Sequence, residues 1–377
     1  MVMRFVDTFE KHRREHDKSL DSYIKERRLS LGQTISNKHK VYLDTNYWLL
    51  LRNLRLGRSC DPMIAKLAEL LNDGVTSAKL ICPISSDVFL EIVKQTDPET
   101  LNCTVGLIDT LSQGITVLSP EERRRIELLH WLRRHGAGEE SCHEPTVFVW
   151  TKLAYVLGLT TPTHMPFSPG EELTIQKAFF DQMWEISLSD MIKTIGIAAI
   201  HEMRMPDISS KLNAGKFAHA DEVKSFQDVF LAEIAGILDT LKPEFREILA
   251  YLYGKLTGRT VPEEELAASD ASRQFANLIY HGFRLNRFST ELPSLRIPAT
   301  LHAAVRTDRS RRYKATDMHD FGHATAALPY FDTFLTDDRS LRHLLTRKDL
   351  RLDRLYDCKV VSTHREVTKT IRVATSL

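Results

Sequence analysis

Residues 40–46 read Lys-Val-Tyr-Leu-Asp-Thr-Asn, and the fold turns on how this stretch is read. Val41-Tyr42-Leu43 joins β-branched, aromatic and aliphatic side chains in the manner of a buried strand. Asp44 then stands where an open α/β sheet gathers its chemistry, just outside the carboxyl ends of its strands. Asp44-Thr45-Asn46 equally suits a turn followed by a helix cap, because all three residue types favour those places. The stretch alone leaves both readings open. Other acids at matching places decide between them.

Outward from this stretch, helical and strand patterns alternate. Helices are expected over "YWLLLRNL" and over "DPMIAKLAELLNDG", the latter opening on Asp61-Pro62 and stopping near Gly74. "LICPIS" at 80–85 predicts a second strand, "SDVFLEIVKQ" a helix capped by Ser85 or Ser86, and "ITVLS" at 115–119 a third strand. Strands separated by helices imply right-handed crossovers and a parallel sheet. From 120 to about 300 helix follows helix with no convincing strand. Alternation resumes with "DMHDFGHATAALPY" as a helix, "FDTFLTDD" as a strand, "RSLRHLLTR" as a helix and "CKVVS" as a last strand. The expected fold is α/β, a parallel twisted sheet with helices on both faces, interrupted by a large all-helical insertion. Its parts are a charged helical N-terminal segment (1–38), two halves of the sheet domain (39–119 and 314–377) and the insertion (120–313). In the first segment Phe5, Phe9, Leu20, Tyr23 and Ile24 are spaced as one or two loosely amphipathic helices.

The 377 residues exceed the needs of one ordinary domain. With 42% hydrophobic and 27% charged residues the composition is that of a soluble globular chain. No apolar run approaches the roughly 20 residues of a membrane span, and the N-terminus lacks the apolar stretch of a secretory signal. Five scattered cysteines form no Cys-x-x-Cys pair, which argues against a disulfide framework and a thiolate zinc site and fits a reducing cytoplasm. Fifty-one basic against fifty acidic residues decide nothing about a nucleic-acid partner, since local patches outweigh the sum.

The acids fall in register with the strands. Asp44 ends the first, Glu91 lies on the helix after the second, Asp317 and Asp320 share a helix face before the fourth, and Asp337 and Asp338 close that strand. Clustered carboxylates repel, and one takes up a proton unless a cation intervenes. Hard divalent cations, Mg²⁺ or Mn²⁺, suit oxygen ligands and keep waters for chemistry, so metal-dependent chemistry on a phosphodiester or phosphate is expected.

The stretches "VYLDTN", "ISSDVFLEI", "DMHDFGHATAALPYFDTFLTDD" and "CKVVS" together resemble a PIN-domain nuclease. In that family an Asp ends the first strand, a Glu follows a Ser by five positions on a helix, a third Asp opens the helix before the fourth strand, and a Thr-(x)-Asp element ends that strand. The resemblance spans roughly 40–119 and 314–364 and leaves out the helical middle. It implies a metal-dependent ribonuclease in which Asp44, Glu91 (five after Ser86), Asp320 and Asp338 hold one or two ions. Asp337 is the alternative fourth acid, and Asp317 a further candidate ligand. Asn46 or Thr45 would orient Asp44 or a water, Thr336 would hold a phosphate or water, and His323 would touch phosphate or tune Asp320. Arg306, Arg309, Arg311, Arg312 and Lys314 would track a phosphate backbone. RNA, with a structured RNA such as transfer RNA among the targets and DNA left open, is the expected partner. A toxin or antiviral-defence role with an inhibitor protein is an association only.

Two alternatives stand beside this reading. One is a degenerate PIN scaffold that binds RNA or protein without catalysis. The other is a haloacid-dehalogenase-like phosphatase, which wants a second Asp two positions after the first, where this chain has Asn46.

Overall fold

The computed structural model describes residues 7–15, 17–135, 143–195, 207–222, 225–259, 262, 265 and 269–376. Phe5 of the expected N-terminal helix, and the stretches of the insertion between these ranges, lie outside the described residues. Mixed α/β architecture is present, with a four-stranded parallel sheet in a mostly helical protein. The strands are β1 (His39–Leu43), β2 (Leu80–Ile81), β5 (Thr333–Leu335) and β6 (Lys359–Val361), in the order β2-β1-β5-β6. Two short strands, β3 (Ile115–Val117) and β4 (Trp150–Lys152), pair with each other.

β1 is central, with β2 on one side and β5 on the other, so the two ends of the chain interleave in one sheet. Val41, Tyr42 and Leu43 are all fully buried, as expected of a strand covered on both faces. β2 is shorter than the stretch 80–85 predicts. Pro83 has no N–H to give to a ladder, and pairing resumes only at Ile84, which bridges Thr116 in parallel and accepts from Val117 N at 2.9 Å.

The expectation of a wholly helical 120–313 needs correction. β4 lies inside that stretch and runs antiparallel to β3, with Thr151 opposite Thr116. Three residues, Trp-Thr-Lys, are too few to display a two-residue alternation. Nor is the insertion a separate body. Val149, Trp150, Leu188, Ile192, Leu301 and Val305 share one apolar core with the sheet residues. A second core, containing Trp131, Phe230, Phe245, Phe275 and Phe283, belongs to the insertion's own helices. The helix Pro293–Thr307 is the wall between the two: Ile297, Leu301 and Val305 face the first core, and Leu295, Ala299 and Ala303 the second. A helix apolar on both sides is one buried on both sides.

The N-terminal helices Phe9–Arg14 and Leu20–Ile35 dock on the helix Pro169–Glu185. Among the described residues no helix is long and apolar enough to cross a membrane.

Candidate functional site

Asp44 is both a helix cap and the buried end of a strand. It caps the helix Thr45–Arg55, its Oδ1 accepting from Tyr47 N at 3.2 Å, and it also stands at the end of β1 with only 6% of its surface exposed. The second oxygen accepts from Asp337 N at 3.1 Å, a bond across 293 positions of sequence. Asp44 N in turn donates to Leu335 O at 3.0 Å, so the parallel ladder of β1 and β5 carries straight into the site. Burial pushes the Asp44 carboxyl up, against the hydrogen bond from Thr336 and the charge of His323.

Glu91 comes from the helix Ser86–Ile92, whose cap is Ser85. One of its oxygens, Oε2, is claimed twice, by the Thr45 hydroxyl and by His323 Nε2 at 2.9 Å. The other ring nitrogen of His323 lies 2.7 Å from the Tyr42 hydroxyl, itself 2.7 Å from Ser85 Oγ. Three segments are thereby tied in one relay: β1 through Tyr42, the helix Asp317–Ala327 through His323, and the helix Ser86–Ile92 through Glu91 and its cap Ser85. Burial opposes both charges, yet each stabilises the other. Glu91 is held down at about 2, chiefly by His323. His323 is raised to about 9 by Glu91, with Asp87 and Asp44 adding to it. At neutral pH the pair is an ionised salt bridge.

Asp320 meets the opposite environment. It sits in the first turn of the helix Asp317–Ala327, where acids are favoured. Burial and the neighbouring charge of Asp338 nevertheless push it up to about 7, with His323 only partly opposing. Asp338 caps the helix Arg339–Thr346, its Oδ1 accepting from Leu341 N at 2.8 Å, and its own N–H donates to Thr336 Oγ1 at 3.2 Å. Asp338 is thus the partner of Asp320, whereas Asp337 contributes its backbone to Asp44 and its charge to the surroundings of Tyr47.

Asp317, a candidate ligand, is held in an ion pair. Its two oxygens accept from Arg311 Nη2 at 3.2 Å and Lys314 N at 2.9 Å, with the side chain 2% exposed. The same pair removes Arg311 from the expected phosphate track, and Arg306 is likewise paired with Glu233. Of the five, Arg309, Arg312 and Lys314 remain exposed. Thr45 holds Glu91 rather than Asp44, and Asn46 is exposed at the start of its helix.

Sequence reasoning missed Asp87, one helical turn before Glu91 and therefore on the same face. It is 8% exposed, its Oδ2 has no hydrogen-bond partner, and burial raises its carboxyl. The helix carrying Asp320 and His323 presses directly onto it: a Cβ on Gly322 would lie 2.1 Å from Asp87 Oδ1. Arg123, 1% exposed and bonded to Thr325 O at 3.0 Å, supplies positive charge beneath Asp87. Also missed were His319 and Lys94, whose side chains meet at 2.9 Å beside the acids. The signals were present in the i, i+4 spacing of Asp87 and Glu91 and in a glycine between Asp320 and His323.

In kind, the carboxylates of Asp44, Asp320 and Asp338 suit a hard divalent cation. As they stand, no group of three or more His, Cys, Asp and Glu side chains among the described residues is arranged to hold a metal ion. The unbalanced negative charge of Asp320 and Asp338 is the feature that a cation would relieve. Two cavities of about 360 and 320 Å³ lie elsewhere, one lined by Leu51, Leu54 and Leu107, the other by Glu127, Trp131 and Tyr356. Neither is lined by the acids. In comparisons with known proteins, no family model, no curated protein and no solved structure matches this chain.

Proposed function

We propose that this protein is a PIN-like nuclease that uses Mg²⁺ or Mn²⁺ to hydrolyse phosphodiester bonds of RNA. One observation carries the reading: stretches far apart in sequence meet beyond the end of β1, where Asp44 accepts from Asp337 N, Glu91 is bonded to His323 on the helix that carries Asp320, and the charge of Asp338 helps to raise Asp320. Asp44, Asp320 and Asp338 would hold the cation. Bound there, it would supply an activated water and offset the charge that develops on a phosphate under attack. Two backbone N–H groups fix the orientation of Asp44. His323 keeps Glu91 ionised, and Thr45 and His323 together hold Glu91 Oε2 in place. Exposed Arg309, Arg312 and Lys314 just ahead of the Asp317–Ala327 helix would meet the backbone of the bound strand. Four described cysteines are free, two of them buried, which suits a reducing cytoplasm.

The absence of a ready-made metal group among the described residues favours a second reading, a PIN-like scaffold that binds RNA without cutting it. One experiment separates the two. Purified protein is incubated with end-labelled single-stranded RNA and Mn²⁺ beside the Asp44→Asn and Asp320→Asn variants. Cleavage leaving 5′-phosphates, lost in both variants, supports the nuclease. Binding without cleavage supports the scaffold, and equal cutting by all three proteins sinks the assignment of the acids.

A further inference from the structure

We propose that Lys94 is a phosphate-contact residue of the acidic edge and that His319 is its positioning residue. The inference rests on the nuclease reading of that edge and deepens it by naming what meets the substrate backbone there. Lys94 follows Glu91 by three positions, and its Nζ lies 2.9 Å from His319 Nε2, one residue before Asp320. An ammonium only donates, so the imidazole must accept with a neutral nitrogen. The pair therefore keeps a full positive charge. Three other cations near this edge are instead matched by carboxylates: His323 by Glu91, Arg311 by Asp317 and Arg306 by Glu233.

Glu91 would be the natural partner for Lys94, but its Oε2 already takes bonds from Thr45 and His323. The tautomer that serves Lys94 leaves the other nitrogen of His319, which is 8% exposed, carrying a hydrogen with no bonding partner. A buried donor left unpaired is unfavourable, and here it orients one lysine whose own residue remains exposed. Anchoring the tip of a long side chain removes rotamer freedom before the substrate arrives, which lowers the entropy lost on binding.

The test measures binding of a fluorescent 12-nucleotide single-stranded RNA to the full-length Asp44→Asn protein without divalent ions, across a salt series. Lys94→Gln is expected to weaken binding several-fold and to lower the slope of log affinity against log salt by about 1, with Lys94→Arg restoring most of both. His319→Gln is expected to weaken binding while leaving the slope nearly intact, since the charge stays but is no longer held. An unchanged slope in Lys94→Gln overturns the proposal, as does failure of the Asp44→Asn protein to bind the RNA. If the slope changes as expected yet wild-type protein cuts nothing with Mn²⁺, the phosphate contact stands and the nuclease reading alone falls.

Discussion

Two aspartates on helices, Asp181 and Asp320, are treated in opposite ways by this fold. Asp181, on the helix that receives the N-terminal segment, accepts from the Tyr23 hydroxyl at 2.6 Å and lies 2.8 Å from His12 Nε2, with Arg27 at 4.0 Å. Burial would raise its carboxyl, but Tyr23 and His12 hold it below the ordinary value. Asp320 is also largely enclosed, yet its neighbour is Asp338, and it is pushed up to about 7. Where a carboxylate only ties segments together, the fold supplies donors and an opposite charge. At the sheet edge it leaves the charge of Asp338 acting on Asp320, an arrangement that lowers stability and underlies the proposal that a cation binds there.

The comparison breaks most sharply under charge removal. Asp181→Asn should destabilise the protein by about 2 kcal/mol, because it takes the charged acceptor away from the buried hydrogen bonds of Tyr23 and His12, while cleavage per folded molecule stays near wild type. Asp320→Asn should do the reverse. Thermal denaturation should show equal or greater stability, and Mn²⁺-dependent cleavage should fall by about 10³-fold or more. A thermally weakened Asp320→Asn with normal cleavage would erase the distinction. Gly322→Ala sits between these cases. With a methyl 2.1 Å from Asp87 Oδ1, the helix must move. A cost of about 1–3 kcal/mol is expected, with cleavage lowered about 10²-fold by misplacement of Asp320 and His323.

The acids that close strands were legible because a strand end is a sequence-local event. Val41-Tyr42-Leu43 is an unbroken apolar run, and Asp44 follows it directly. What surrounds those acids was not legible in the same way. Whether Asp317 is a ligand or half of an ion pair depends on where Arg311 turns back, which spacing does not encode. The Glu91–His323 bond spans 232 positions and links segments on either side of the insertion. In the sequence His323 looks like a neighbour of Asp320 on its own helix, and nothing nearby points to Glu91. β4 was missed because Trp150–Lys152 is defined by its partner β3 and has no pattern of its own. The two-sided helix Pro293–Thr307 hides a further boundary, since its apolar residues serve two cores at once.

Acid–base behaviour sharpens the contrast further. The Asp320 carboxyl is raised from 3.8 to about 7, so the folded state binds its proton more tightly than the unfolded chain. Its effect on stability is therefore unfavourable above about pH 7 and fades as the pH falls toward 4. The stability advantage of Asp320→Asn over wild type should grow over that interval in metal-free buffer. Mn²⁺ should raise the wild-type melting temperature more at pH 8 than at pH 5.5, where Asp320 carries a proton. The Glu91–His323 pair has another window. Glu91, lowered from 4.5 to about 2, contributes above pH 4.5 and loses its contribution as the pH falls through 2. His323, raised from 6.5 to about 9, contributes below pH 6.5 and loses it as the pH rises through 9. Both contributions are complete only between pH 4.5 and 6.5. His323→Gln should therefore cost most stability there and less near pH 9. A flat profile would mean that the pair is not ionised.

The smallest expected effect, that of Lys314→Gln, sets one basic residue against another three positions before it. Arg311 and Lys314 belong to one basic run in the sequence, but Arg311 is bonded to buried Asp317 and Lys314 is exposed. Arg311→Met should lower stability by about 3 kcal/mol, because it strands a carboxylate whose side chain is 2% exposed. Its weaker RNA binding should recover when the temperature is dropped well below the variant's melting point. Lys314→Gln should leave the melting temperature within a degree or so of wild type and reduce the salt slope of RNA binding by about 1 at every temperature. Exchanging the two phenotypes would show that the ion pair between Arg311 and Asp317 opens in solution and that the arginine, not the lysine, reaches for the substrate. The proposed phosphate track would then run through Arg309, Arg311 and Arg312 and stop short of Lys314.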